Sequence, residues 1–191
     1  MNQLESKLRH HIEQTITLTD DEFAQVLSYF KPKVFKKHHL IIQQGDYVPH
    51  EYFVAKGLMK AARTSAEGKE HIIHFAMENG WITDPEAFHN GTKASLSVDC
   101  LEDSTVFALT LENKEKMCRD LQKMESFFRK KTTAGYIALQ KRIMCLISSK
   151  ASDRYHYLLE QYPDLIKRVP KTMIASYLGV SRETLSRLLP V

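Results

Sequence analysis

One stretch near the C-terminus narrows the folds open to this chain more than any other. Lys171 to Leu189 reads K-T-M-I-A-S-Y-L-G-V-S-R-E-T-L-S-R-L-L. Ile174, Ala175 and Leu178 share one apolar face of a short helix. Gly179 ends that helix, because glycine takes the left-handed conformation at little cost. Val180 fills the turn, and Ser181 is a good N-cap for a second helix. On that helix Leu185, Leu188 and Leu189 recur at helical spacing, while Arg182, Glu183, Ser186 and Arg187 lie on the other face. Two short helices joined through a glycine turn make a helix-turn-helix. A second helix that buries leucines and shows arginines and a glutamate near its N-terminal end suits a DNA major groove. A plain amphipathic hairpin with a solvated charged face has the same pattern, so the rest of the chain has to discriminate.

Charge is the first discriminator. The 191 residues carry a net charge of only +4, but it is unevenly spread. Residues 1–127 hold 15 Lys/Arg against 19 Asp/Glu, and residues 128–191 hold 12 against 4. A basic C-terminal third points to a polyanion partner for that part. No apolar run approaches the ~18 residues of a membrane span, and the polar N-terminus lacks the apolar core of a signal peptide. The expected location is the cytoplasm, with no membrane partner. Cys100, Cys118 and Cys145 are odd in number and scattered, which suggests free thiols rather than a disulfide framework or a cysteine metal site.

Upstream, the texture changes twice. Residues 1–30 read as helical, with Leu4, Leu8, His11 and Ile12 at helical spacing. Thr19 and Glu22 have capping-box spacing ahead of Phe23, Val26, Leu27 and Phe30. From Lys33 to about Thr110, short β-prone runs such as Tyr52-Phe53-Val54 alternate with turn pairs such as Gly45-Asp46 and Lys56-Gly57. Many short strands at this spacing imply a barrel or sandwich, with Glu67-Gly68 a hairpin tip. From Leu111 the pattern is helical again: a short helix over 113–121, a long one over Lys123 to Ser148, and another over 153–161. About 25 residues give ~38 Å of helix, a length that suits spanning two domains or pairing with a second copy. The expected seam includes Phe128, Gly135, Leu139 and Ile143, although Thr132, Thr133 and Gly135 weaken it; packing against the barrel is the alternative.

The order of N-terminal helices, short-stranded barrel, long helix and C-terminal helix-turn-helix closely resembles the Crp/Fnr family of bacterial transcription regulators. The resemblance covers essentially the whole chain. It is carried by Ile41-Ile42-Gln43-Gln44-Gly45-Asp46, by Tyr52-Phe53-Val54-Ala55-Lys56-Gly57 and by Gly179 through Arg187. It implies an α+β fold: a jelly-roll barrel of cyclic-nucleotide-binding type, a dimerisation helix and a winged-helix-like DNA-binding domain. The expected divisions are residues 1–122 for the effector domain, 123–148 for the dimerisation helix and 149–191 for the helix-turn-helix domain. The sequence given ends at Pro190-Val191, leaving no residues for a wing after the second helix. Wing strands are therefore expected around Ile166 to Val169 or not at all.

The resemblance implies that Arg182, Glu183 and Arg187 read base edges. Arginine donates two bonds to guanine, and glutamate accepts from cytosine. Glu183 could instead hold Arg187 in place, four residues on. Ser181, Thr184 and Ser186 would be phosphate contacts or caps, and Lys171 and Thr172 backbone contacts. The implied partners are double-stranded DNA with a palindromic operator, a second copy of the chain and, for an activator, RNA polymerase.

The implied nucleotide pocket departs from the family. Where cyclic-AMP-binding members have Gly-Glu-Leu and later Arg-Ser or Arg-Thr, this chain has Thr83-Asp84-Pro85 and Ala94-Ser95. Asp84 could accept a ribose hydrogen bond, but Ala94 cannot pair with a phosphate. Losing that charge-assisted pair costs at least ~2 kcal/mol, more than tenfold in affinity. The expectation is a degenerate pocket of Thr83, Asp84, Ala94 and Ser95 that does not answer to cyclic AMP, with another effector or none. No cofactor is identified: there is no cysteine before Cys100 for an Fnr-type cluster, and the histidines lack a diagnostic haem spacing. The alternative from another class is a metal-dependent cupin-like enzyme or small-ligand binder using the barrel. His71 and His74 are its only suggestive pair, and their spacing puts them on opposite strand faces.

Overall fold

The computed structural model describes residues 2–188. Leu189, assigned by its spacing to the second helix of the C-terminal motif, lies outside them.

The chain opens with α1 (Gln3–Glu13) and α2 (Asp20–Ser28). Thr19 caps α2 in the expected box with Glu22, and Asn2 forms a second such box with Glu5. The barrel is two antiparallel four-stranded sheets. One runs β1 (Lys31–Phe35), β8 (Ser104–Leu109), β3 (Glu51–Lys56), β6 (Trp81–Ile82). The other runs β2 (Leu40–Ile42), β7 (Ser97–Cys100), β4 (Met59–Thr64), β5 (Glu70–Ala76). Gly68, with φ of 77°, sits in the predicted β4–β5 tip, where its N–H reaches Ser65 O at 3.0 Å.

Alternation along β3 explains its near-continuous burial. Tyr52 and Val54 face the core between the sheets with Met59, Val98 and Val106. Phe53 and Ala55 face outward into a second core with Leu8, Ile12, Met117 and Phe127. A fully buried side chain such as Phe53 contributes about 2–3 kcal/mol. A third core covers the other sheet. There Ile72, Phe75 and Leu101 meet Leu158, Leu165, Ile174, Leu178 and Leu185. Helices thus sandwich the barrel on both sides.

Two elements inside the barrel region were not legible as such: the two-residue β6, and the short helix α3 (Pro85–Asn90). Beyond the barrel come α4 (Leu111–Asp120), α5 (Lys123–Ser148), α6 (Ala151–Gln161), α7 (Leu165–Arg168), α8 (Lys171–Leu178) and α9 (Arg182–Leu188). The stretch expected to supply wing strands is helical in α7. Among the described residues no strand follows β8, so none of them forms a wing.

The long helix α5 splits into two regimes. Met124, Phe127 and Phe128 in its first turns are buried against the barrel and N-terminal helices. This corrects Phe128 as a seam residue: it is only 6% exposed and fills a core of its own chain, leaving nothing to offer a second copy. From Thr132 onward α5 is largely exposed. Tyr136, Leu139, Ile143 and Ile147 form an uncovered apolar line, with Gly135 also on the surface.

Candidate nucleic-acid interface and ligand pocket

The helix-turn-helix follows the local chemistry of its sequence. Gly179 adopts φ 67° and ψ 35°, and α8 ends there in the left-handed conformation. Ser181 Oγ accepts from the Thr184 N–H at 3.1 Å, capping α9. Leu185 turns inward at 1% exposure, with Ile174, Ala175 and Leu178 of α8 in the same core. Arg182, Glu183, Ser186 and Arg187 are all exposed, and so are Lys171, Thr172 and Ser181. Thr184 is half-buried, its hydroxyl 3.1 Å from Ser181 Oγ. The Glu183 carboxyl is held below its usual range, first by its own backbone N–H and the Ser181 hydroxyl, then by the charges of Arg182 and Arg187. Among the described residues, Glu183 and Arg187 form no direct ion pair.

The motif does not stand free of the barrel. β5 is an edge strand of its sheet, which leaves N–H and C=O groups to be covered. Helix α8 covers them. Ser176 Oγ accepts from the Ile72 N–H at 3.1 Å and donates to Glu70 O at 2.9 Å. Arg142 of α5 donates Nη2 to Ile72 O at 3.2 Å and to Tyr177 O at 3.0 Å. Below them, Arg168 of α7 forks onto two barrel carboxylates, Glu78 and Glu102, with four bonds of 2.7–3.1 Å. None of these tertiary partners was readable from spacing; only a surplus of C-terminal cations over the acidic front hinted at them.

At the nucleotide-pocket positions the polar side chains of Thr83, Asp84 and Ser95 are already engaged within the chain. Asp84 is 2% exposed and caps α3. One of its carboxylate oxygens accepts from the Ala87 N–H at 3.2 Å. The other accepts from the Ser95 N–H at 2.7 Å and the Ser95 hydroxyl at 3.0 Å. It therefore places the chain's own negative charge at the N-terminus of α3. This corrects the expectation that Asp84 is free to accept from a ribose. Ala94 is buried in the inter-sheet core, and its N–H and C=O are taken by Asp46 and Gly45. Thr83 donates to His50 O at 3.0 Å.

Residues 32–120 match the sequence profile of the family described as Cyclic nucleotide-binding domain. The Cyclic AMP receptor protein of Thermus thermophilus is 24% identical over 176 residues, covering 90% of this chain and 81% of that protein. The structure of FixK2 from Bradyrhizobium japonicum superposes with a TM-score of 0.70 at 18% identity, covering 83% of this chain and 82% of that one. A crp/fnr-family transcriptional regulator from Eubacterium rectale gives 0.65 at 16% identity, over 90% and 82%. The barrel matches the profile of that domain, and the chain shares the fold of these solved structures.

The barrel does not fit a cyclic nucleotide at the positions that the resemblance assigns to one. The phosphate's arginine is replaced by a buried methyl group, and the α3 N-terminus that would face an anion is filled by Asp84. For a cupin-type metal, the expected opposite faces of His71 and His74 are corrected by a bulge in β5, which sets them opposite Arg63 and Ala61, two positions apart on one face of β4. Among the described residues no group of three or more His, Cys, Asp or Glu is placed to hold an ion. Nor is any described helix long and apolar enough to cross a membrane.

Proposed function

We propose that the chain is a cytoplasmic, sequence-specific DNA-binding transcription regulator. It acts as a homodimer on an inverted-repeat operator and does not answer to cyclic AMP. The observation that carries this is the orientation of α9. Its buried Leu185 fixes the helix against α8 and α6, while Arg182, Glu183, Ser186 and Arg187 all face out from its first two turns. A capped helix presenting two guanidinium forks and a carboxylate has the donors and acceptor needed for guanine and cytosine edges. Lys171, Thr172 and Ser181 flank it as phosphate contacts, with Thr184 held by the Ser181 cap.

Pairing is supported by the exposed apolar line on α5. Tyr136, Leu139, Ile143 and Leu146 follow a spacing of three and four, the seam of a two-helix pair. Two-fold pairing there sets the α9 helices to read successive major grooves, with half-sites ~10 bp apart. The residue divisions 1–122, 123–148 and 149–191 follow those roles, and an activator of this kind would also touch RNA polymerase.

The test is selection of binding sites from random duplexes with the full chain. An inverted repeat is expected. Arg182→Ala or Arg187→Ala should each cost about 1–3 kcal/mol and relax one position, whereas Lys171→Ala should weaken all sequences alike. Enrichment of no palindrome would overturn the operator reading, and a shift of the melting temperature by cyclic AMP would overturn the pocket reading.

A further inference from the structure

Glu51 opens β3 with the same parity as Phe53 and Ala55, so its carboxylate points to the outer face of the sheet. The residue is only 5% exposed there. A buried carboxylate needs a partner, and this one has two. Lys114 of α4 stands 2.9 Å from Oε1, and Lys131 of α5 stands 2.7 Å from Oε2. Aromatic rings hold both cations. Lys131 Nζ lies 3.5 Å from the centre of the Trp81 ring, and the Phe128 ring is shared, 5.4 Å from Lys131 and 4.7 Å from Lys114.

The cluster therefore holds two ammonium groups against one carboxylate. Either lysine can lose its charge and Glu51 still keeps a partner, whereas an isolated buried pair would be left with an orphaned ion. The two lysines are not equal. Lys131 is the more open, with a side-chain exposure of 20% against 13% for Lys114. Its amine also rests on the flat face of an indole, a surface that suits a planar amide as well as a cation.

Burial lowers the Lys131 amine to about 8 from 10.5, with Glu51 opposing the shift and Lys114 adding to it. At pH 7.5 an amine of this kind has about 200-fold more free base than an ordinary lysine. Its neighbours do not titrate in that range. Burial acts to raise the Glu51 carboxyl, but Lys131 and Lys114 hold it low and ionised. His11 of α1 and His89 of α3 are both lowered, first by burial, and are neutral. A desolvated lysine beside a second cation is the arrangement that makes an amine a nucleophile.

We propose that Lys131 is an acetylation site that takes its acetyl group from an acyl phosphate. The donor class follows from charge: an acyl phosphate is a small dianion, drawn to a cluster with a surplus cation, and its leaving group departs as an anion. Lys131 first gives a proton, by way of Glu51, to water. The Nζ lone pair then forms a C–N bond to the acyl carbon, and the C–O bond to phosphate breaks with its electron pair. A second amine proton ends on the departing phosphate. The products are inorganic phosphate and a neutral amide, with Glu51 left to Lys114. Lys131 stands where the buried part of α5 gives way to the exposed part, so the modification removes an ion pair between barrel and helix at that point.

The experiment incubates the full chain with acetyl phosphate between about pH 6.5 and 9, beside Nα-acetyl-lysine amide as a reference amine. Mass spectrometry of the digested protein reads the occupancy of each lysine. At pH 7.5 Lys131 should react at least about fivefold faster than the reference, and ahead of the exposed Lys130 and Lys150. Its rate should level off above about pH 8 while the reference keeps climbing. Fluorescence of Trp81, the single tryptophan, should change in step with occupancy at Lys131 and stay constant in Lys131→Arg. Lys114→Met leaves a one-to-one pair, and should slow Lys131 at least about threefold at pH 7.5 because the amine regains its proton. A rate at or below the reference, a profile that climbs in parallel with it, or indifference to Lys114→Met overturns the proposal. If circular dichroism shows that Lys114→Met does not fold, the rate and pH profile of the unsubstituted protein decide the matter. No DNA enters the reaction, so its failure is distinct from failure of the operator selection.

Discussion

Arg168→Gln should loosen the C-terminal helices from the barrel without unfolding either. Arg168 sits on α7 and spans to Glu78, just after β5, and Glu102, just after β7. Burial acts to raise the Glu78 carboxyl, but Arg168 and the Gly57 N–H outweigh it and hold the group at about 2, against an ordinary 4.5. That depression corresponds to roughly 3 kcal/mol at most. The Glu78 side chain is 30% exposed and shares its charge with Gly57, so about 2 kcal/mol is a fairer share for Arg168. A depressed carboxyl stabilises above its unfolded pKa, so this contribution is full above pH 4.5 and fades as pH falls towards 2. The reporter is the Ile72 amide. It lies on an edge strand and its hydrogen bond is to Ser176 of α8, so it exchanges when α8 lifts away. Hydrogen exchange at Ile72 should accelerate about 30-fold in Arg168→Gln, the equivalent of 2 kcal/mol. Amides of β3, in the barrel interior, should stay slow. A double-mutant cycle with Glu78→Gln should show coupling of about 1–2 kcal/mol. Unchanged exchange at Ile72, or equal acceleration in β3, would refute the clamp as a docking element.

Four further outcomes follow from the packing. His11 Nε2 accepts from the indole N–H of Trp81 at 3.0 Å, and burial, then Lys131, lowers the imidazole to about 4 from 6.5. The unfolded chain therefore takes up this proton first, so stability is full above pH 6.5 and falls by about 2–3 kcal/mol on acidification to pH 4. Urea titrations followed by the single Trp81 should show this loss, and His11→Gln, which keeps an acceptor but cannot titrate, should reduce the pH slope; equal slopes would reject the assignment. Leu139→Lys with Ile143→Lys should leave a folded monomer by sedimentation at micromolar concentration, while Phe128→Ala should instead cost about 3–5 kcal/mol of fold stability. Gly57 has φ 106°, and a Cβ there would lie 2.3 Å from Ser104 Oγ and 2.8 Å from Ser104 Cα. Gly57→Ala should therefore destabilise by about 3 kcal/mol in thermal unfolding, and a loss below 1 kcal/mol would show that the turn relaxes.

Much of this protein was decided by residues acting within a few positions of one another. The Thr19–Glu22 box, the left-handed Gly179, the Ser181 cap and the turn at Gly68 are local events, and each stands where its sequence puts it. The alternating runs of the barrel and the span of α5 belong to the same class, because hydrophobic period is a property of the chain alone. Local pattern failed where burial depends on what lies across the fold. Phe128 has the same apolar signal as Leu139, yet the first turns of α5 lie against the barrel and the rest project past it, so one is core and the other surface. Asp84 reads as a free acceptor until α3 forms and Ser95 is brought 11 residues back to meet it. Ile166 to Val169 are β-prone in isolation, but the third core draws Leu165 and Val169 inward at helical spacing. The carbonyl partners of Arg142 and the Arg168 clamp were invisible for the same reason. A charge's partner is set by distance in three dimensions, and spacing along the chain carries no record of it.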